Sequence, residues 1–114
     1  MAYVPNRSAF VLIPQEPMLK WVQAVNDEDI DMDTLFGEAE VYLVPSFESD
    51  EEMDAILETH WSRMFDIELK AWCPAEPAKW PQKRSYEMFN DWFKFTPFNG
   101  VHDLGVETIT VEKD

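Results

Sequence analysis

Residues 50–72 can bury their apolar side chains together only as a helix. Met53, Ile56, Leu57, Trp61, Met64, Ile67, Ala71 and Trp72 recur on one helical face, while Glu51, Glu58, Ser62, Arg63, Asp66 and Lys70 fall opposite. Ser49 or Asp50 caps the start, and Asp50, Glu51 and Glu52 complement the positive end of the helix dipole. Pro74 ends the helix, because the residue before a proline is pushed out of helical geometry. Two polar residues, His60 and Glu68, interrupt the apolar stripe. Eight residues of helix separate them by about 12 Å, so they cannot touch.

The other elements are shorter. Residues 9–13 are a continuous apolar run ended by Pro14 and read as a central strand buried on both faces. Pro17 suits the first turn of a helix, which continues through Met18, Trp21, Val22 and Val25 and stops near Asn26. Residues 41–44 read as a second strand, ended by Pro45. Three prolines mark 74–83 as a connector, and Ser85 caps a short third helix carrying Tyr86, Phe89, Trp92 and Phe93. Residues 94–104 read as an edge strand with a bulge, and residues 106–111 alternate as a final strand. The last three residues are expected to fray.

The order β-α-β-α-α-β-β implies an α/β (α+β) chain forming one domain over residues 1–114. Its small mixed sheet has about four strands, with two to three helices mainly on one face. The first β-α-β unit is expected to be parallel and right-handed, and the last two strands to pair as a hairpin.

Charge is segregated along the chain. Residues 27–58 hold 13 of the 23 carboxylates, and no Lys or Arg occurs between Lys20 and Arg63. The rest is close to balance, so the net charge of −14 belongs to one third of the chain. Five carboxylates crowd into residues 27–34, which read as a hydrated acidic loop. Such a surface attracts basic partners and repels nucleic acid. No apolar run approaches the roughly 20 residues that span a bilayer. The apolar run near the start is too short for a secretory signal, and that start is expected to be native. One cysteine, Cys73, fits a reducing compartment, so the expected location is cytoplasmic.

Four stretches resemble chemical sites. Asp29, Asp31, Asp33 and Glu40 occupy the first, third, fifth and twelfth positions of an EF-hand calcium loop. Thr34 stands where the sharp turn wants Gly, and a strand follows where the motif has a helix. Trp72-Cys73-Pro74-Ala75-Glu76 resembles the opening of a thioredoxin-type redox motif, but Glu76 replaces the second cysteine and Cys73 follows a helix instead of opening one. His60 and His102 are the acid–base candidates of an enzyme reading, each needing a carboxylate from another element. The segment from Lys79 to Tyr86 interleaves basic and aromatic residues, but its few charges stand against −14. There Trp80 is expected to dock the connector, while Lys83 and Arg84 pair with acids of this or another copy.

With three glycines and two histidines, the chain offers no phosphate-cradling loop and little support for catalysis. No cofactor is implied. The expected function is a non-catalytic binding or regulatory module that engages a basic protein partner. The contacts are Asp27, Glu28, Asp29, Asp31, Asp33, Asp50, Glu51, Glu52, Asp54 and Glu58. The alternatives are calcium binding in the loop of residues 29–40, nucleic-acid mimicry, and a small enzyme using His60 or His102.

Overall fold

The computed structural model describes residues 2–112. Its elements run β1 (Arg7–Pro14), α1 (Glu16–Asn26), α2 (Met32–Gly37), β2 (Val41–Pro45), α3 (Asp50–Trp72), a 3-10 turn (Pro77–Lys79), α4 (Tyr86–Trp92) and β3 (Phe93–Phe98). The architecture is α+β, with one three-stranded sheet in the order β2-β1-β3.

Both pairings are antiparallel. Phe10 lies opposite Tyr42 on one side and Pro97 on the other; Leu12 lies opposite Phe95. The parallel β-α-β unit expected from the sequence does not form. Its cause is α2, a second helix between β1 and β2. One helical pass returns a chain to make a parallel strand; a second pass reverses it again, and β2 enters antiparallel. The sheet also has three strands where about four were expected. Residues 106–111, expected to form the last, carry no strand, and β3 begins directly at the end of α4. Of the tail expected to fray, Lys113 and Asp114 lie outside the described residues.

Local chemistry explains the helices. Pro17 sits in the first turn of α1, and Asp27 ends it in the left-handed region at φ 49°. Asp31 caps α2 by accepting from the Thr34 N–H at 2.8 Å. Ser49 caps α3 by accepting from the Glu52 N–H, and the Glu52 carboxylate reaches back to the Glu48 N–H at 2.9 Å. That is a variant of the capping box, shifted by one residue. Ser85 caps α4 through the Met88 N–H.

The core lies between one sheet face and the helices. Phe10, Leu12, Val44 and Phe93 are buried from the sheet side; Met18, Val22, Leu57, Met64, Phe65, Leu69 and Phe89 meet them from the helices. Phe65 is the hub, with ring centroids 5.8 Å from Phe89, 5.3 Å from Trp92 and 5.7 Å from Phe93. The Arg84 guanidinium lies 5.7 Å above the Phe65 ring and pairs with Asp66. Trp80 Nε1 donates to the Cys73 carbonyl at 2.8 Å, docking the connector as expected. No buried side-chain nitrogen or oxygen among the described residues lacks a hydrogen-bond partner.

The opposite face of the sheet has no helix over it. Side chains alternate across a strand, so Val41, Leu43 and Phe98 share this outer face with Ala9 and Val11. Val41, Leu43 and Phe98 are half or more exposed. Removing the hub is expected to be costly. Phe65→Ala should lower the unfolding free energy by about 3–5 kcal/mol in urea titrations. Val106→Ala, on a fully exposed residue, should change it by less than about 0.5 kcal/mol.

Candidate binding groove beside strand β2

Strand β2 is an edge of the sheet, and α3 passes beside it. Between them runs a groove of about 480 Å³. The edge of β2, from Val41 to Pro45, forms one wall, and Met64 and Ile67 of α3 the other. Arg7, His60 and Arg63 line it as well, and no described carboxylate does. Sequence order hides this arrangement. Arg7 lies opposite Pro45 because β1 and β2 pair antiparallel, and His60 and Arg63 arrive from a helix many residues away. In a chain of charge −14, three basic side chains around an apolar slot are a local reversal of the surface field.

Below the groove sits a buried polar pair. Glu68 is 7% exposed, and the Tyr42 hydroxyl donates to its Oε2. The sequence marks Glu68 as a carboxylate within an apolar stripe, but its partner becomes evident only once β2 lies under α3. Burial pushes the Glu68 carboxyl up to about 7; the Tyr42 hydrogen bond opposes this and the nearby Glu40 charge adds to it. Burial also pushes the Tyr42 hydroxyl above the ordinary phenol range, helped by the negative charges of Glu68 and Glu40.

Glu40 is accordingly turned toward α3. It lines a second cavity of about 450 Å³ with Arg63, Asp66, Ile67, Lys70 and Trp80. Asp31 is occupied as the cap of α2, and hydrogen bonds from Thr34 hold its carboxyl below the usual range. The calcium loop read from Asp29, Asp31, Asp33 and Glu40 is therefore interrupted by a helix. Among the described residues no three His, Cys, Asp or Glu side chains gather in a way that could hold a metal ion.

The two histidines differ. His60 is half-buried in the groove, whose lining brings it no described carboxylate. His102 is exposed and packs its ring 5.5 Å from that of Tyr3, where a short bridge extends the sheet. Cys73 is a buried free thiol whose Sγ contacts the Glu76 carbonyl at 3.6 Å. The ten carboxylates nominated from the sequence, Asp27, Glu28, Asp29, Asp31, Asp33, Asp50, Glu51, Glu52, Asp54 and Glu58, are all exposed. The pairs Arg84–Asp66 and Lys79–Glu76 both lie outside that stretch. No helix of the described residues is long and apolar enough to cross a membrane.

The Glu68 carboxyl has a consequence for stability. Below pH 4.5 it is protonated both folded and unfolded. Between there and about 7 the unfolded chain releases its proton while the native chain keeps it. Stability from the neutral native form is thus complete below the unfolded value and lost as pH rises through about 7. The interval is worth roughly 3 kcal/mol. Glu68→Gln keeps an acceptor for Tyr42 and removes the titration. Its unfolding free energy, measured against wild type, should differ little at about pH 5 and exceed it by roughly 2–3 kcal/mol at about pH 8.

Comparison of the chain with protein-family models, with curated proteins and with solved structures found no match.

Proposed function

We propose that the protein is a non-catalytic binding module that captures a basic protein partner on the carboxylates of residues 27–58. One observation carries this reading. Each of the ten nominated side chains reaches solvent, in a stretch that supplies no Lys or Arg of its own to neutralise them. Where two of these carboxylates make bonds within the chain, they accept from backbone N–H groups and not from cations: Asp31 at α2 and Glu52 at α3. The negative ends therefore remain available to an approaching cation. Electrostatic steering of that kind raises encounter rates and selects partners by sign more than it adds affinity.

Binding is favoured over catalysis because the groove beside β2 sets His60 among cations and apolar residues, without a carboxylate to work with. A cytoplasmic setting suits the module. Its single cysteine is an unbridged, buried thiol, and a reducing compartment keeps such a group reduced.

The test is charge removal without shape change. Asp29→Asn, Asp31→Asn and Asp33→Asn together keep the cap on α2, because asparagine caps a helix as aspartate does. Exposed ion pairs are worth about 0.2–1 kcal/mol each, so capture should weaken by about tenfold. Proteins retained on the immobilised chain at low salt and released at high salt should be depleted by the triple variant. Glu87→Gln with Asp91→Asn, outside the stretch, should leave retention unchanged. An identical retention profile for wild type and triple variant would sink the proposal.

A further inference from the structure

We propose that the groove beside β2 takes the C-terminal segment, residues 106–111, of a second copy as an added strand, so that two chains exchange their ends reciprocally. This inference is independent of the acidic-face reading, since it concerns a different surface and a different partner.

The slot has the form of a missing strand. β2 pairs with β1 on one side only, so its other edge presents the unpaired N–H and C=O groups that a further strand would use. The layer above is wider than the sheet. α4 touches α3 through Phe89 and Trp61, and touches α1 through Trp92 and Trp21. Helices are about 10 Å across and strands about 4.8 Å apart, so helices side by side cover more than three strands. The excess width lies over the β2 edge, where the half-buried Ile67 of α3 lines the groove.

The tail has the form of the missing occupant. Glu107, Thr108, Ile109, Thr110 and Val111 alternate as a half-buried strand does and are rich in β-branched residues. Yet these residues carry no strand, and Val106 and Val111 are 101% and 85% exposed. A β-patterned segment and an open edge each leave unmet needs that the other supplies.

Charge selects the pairing. The tail carries Glu107 and Glu112, and the slot is lined by Arg7, His60 and Arg63. Two copies at −14 each repel over most of their surface. The groove, lined by Arg7 and by no described carboxylate, repels an acidic segment less than the rest of the surface does. Glu107, Ile109 and Val111 share one side of the added strand, the side turned toward Ile67 and His60 of α3. Glu112 shares the other side with Val106, Thr108 and Thr110.

The full chain, followed by sedimentation velocity over a range of concentrations at about 0.15 M salt, should show a monomer–dimer equilibrium. Amide hydrogen exchange of residues 106–111 should slow as the dimer forms. Thr108→Pro and Ile109→Pro, made singly on exposed residues outside the core, each remove one of the two alternating sets' N–H donors; both should leave near-UV dichroism intact, and at least one should abolish the dimer. Leu43→Glu, on the half-exposed edge, sets a like charge beside the acidic tail and should weaken it at least tenfold. A chain monomeric at every concentration overturns the proposal. So does a dimer that survives both proline variants, or one whose affinity Leu43→Glu leaves unchanged. Protection of 106–111 that is independent of concentration would place the tail in its own chain's slot and overturn the exchange.

Discussion

The packing of α3 across a sheet only three strands wide governs the molecule. Its 23 residues make a rod of roughly 35 Å, with one apolar face to hide. The sheet hides most of it. Phe10 and Leu12 rise from β1, Phe93 from β3, and Phe65 gathers Phe89, Trp92 and Phe93 around its ring. Aromatic side chains supply large buried area per residue, and tilted or edge-on contacts suit their charge distribution. Where the sheet runs out, beside β2, the stripe continues past it. Two distinct features follow from that single mismatch: a carboxylate caught inside the stripe and an open slot along the strand edge.

Glu68 stands where a leucine would extend the stripe. A carboxyl placed there has to be neutral or partnered, because burial penalises its charged form. The Tyr42 hydroxyl partners it from the strand below, and the proton is retained to about pH 7. This pair ties β2 to α3 across the gap that the next strand would otherwise bridge. Hydrogen bonds in such a setting add specificity of register more than net energy, since their groups give up water to form them. Here the register in question is which side chain of β2 sits beneath α3.

Legibility in the sequence follows the range of the forces involved. The bounds of α3 were readable because periodicity, cap and proline stop are local, and they agree on residues 50–72. The caps at Ser49 and Ser85, the strand entering Pro45 and the docking of Trp80 were readable for the same reason. Helix α2 was hidden by its own composition. Its one carboxylate, Asp33, is exposed, and its anchors are few: the buried Leu35 and the partly buried Met32 within it, and Ile30 just before it. Six residues are too few to show a helical stripe. That one omission reversed the direction expected of β2. The strand pattern at 106–111 illustrates the converse: alternation reports that a segment is fit to pair, while pairing itself depends on where an edge is open. The groove was invisible because Arg7, His60 and Arg63 meet only through an antiparallel register and a helix crossing.

The two charged regions bear differently on how copies of this chain meet. If the groove received the acidic stretch of a neighbour, each copy would donate one surface and accept on another. Such head-to-tail contact does not close on itself and propagates into open assemblies unless the rotation happens to form a ring. Of Lys83 and Arg84, the connector cations expected from the sequence to pair with acids, Arg84 is engaged with Asp66 of its own chain. Exchange of the tails closes instead. Each of two slots is filled by the other copy, the contact is reciprocal, and the assembly stops at two. In that arrangement the ten carboxylates proposed to capture a partner lie outside the lining of the groove. They remain on the outside of the pair, doubled in number and free to meet a cationic surface, so self-association by the edge and capture by the acidic face do not compete for the same side chains.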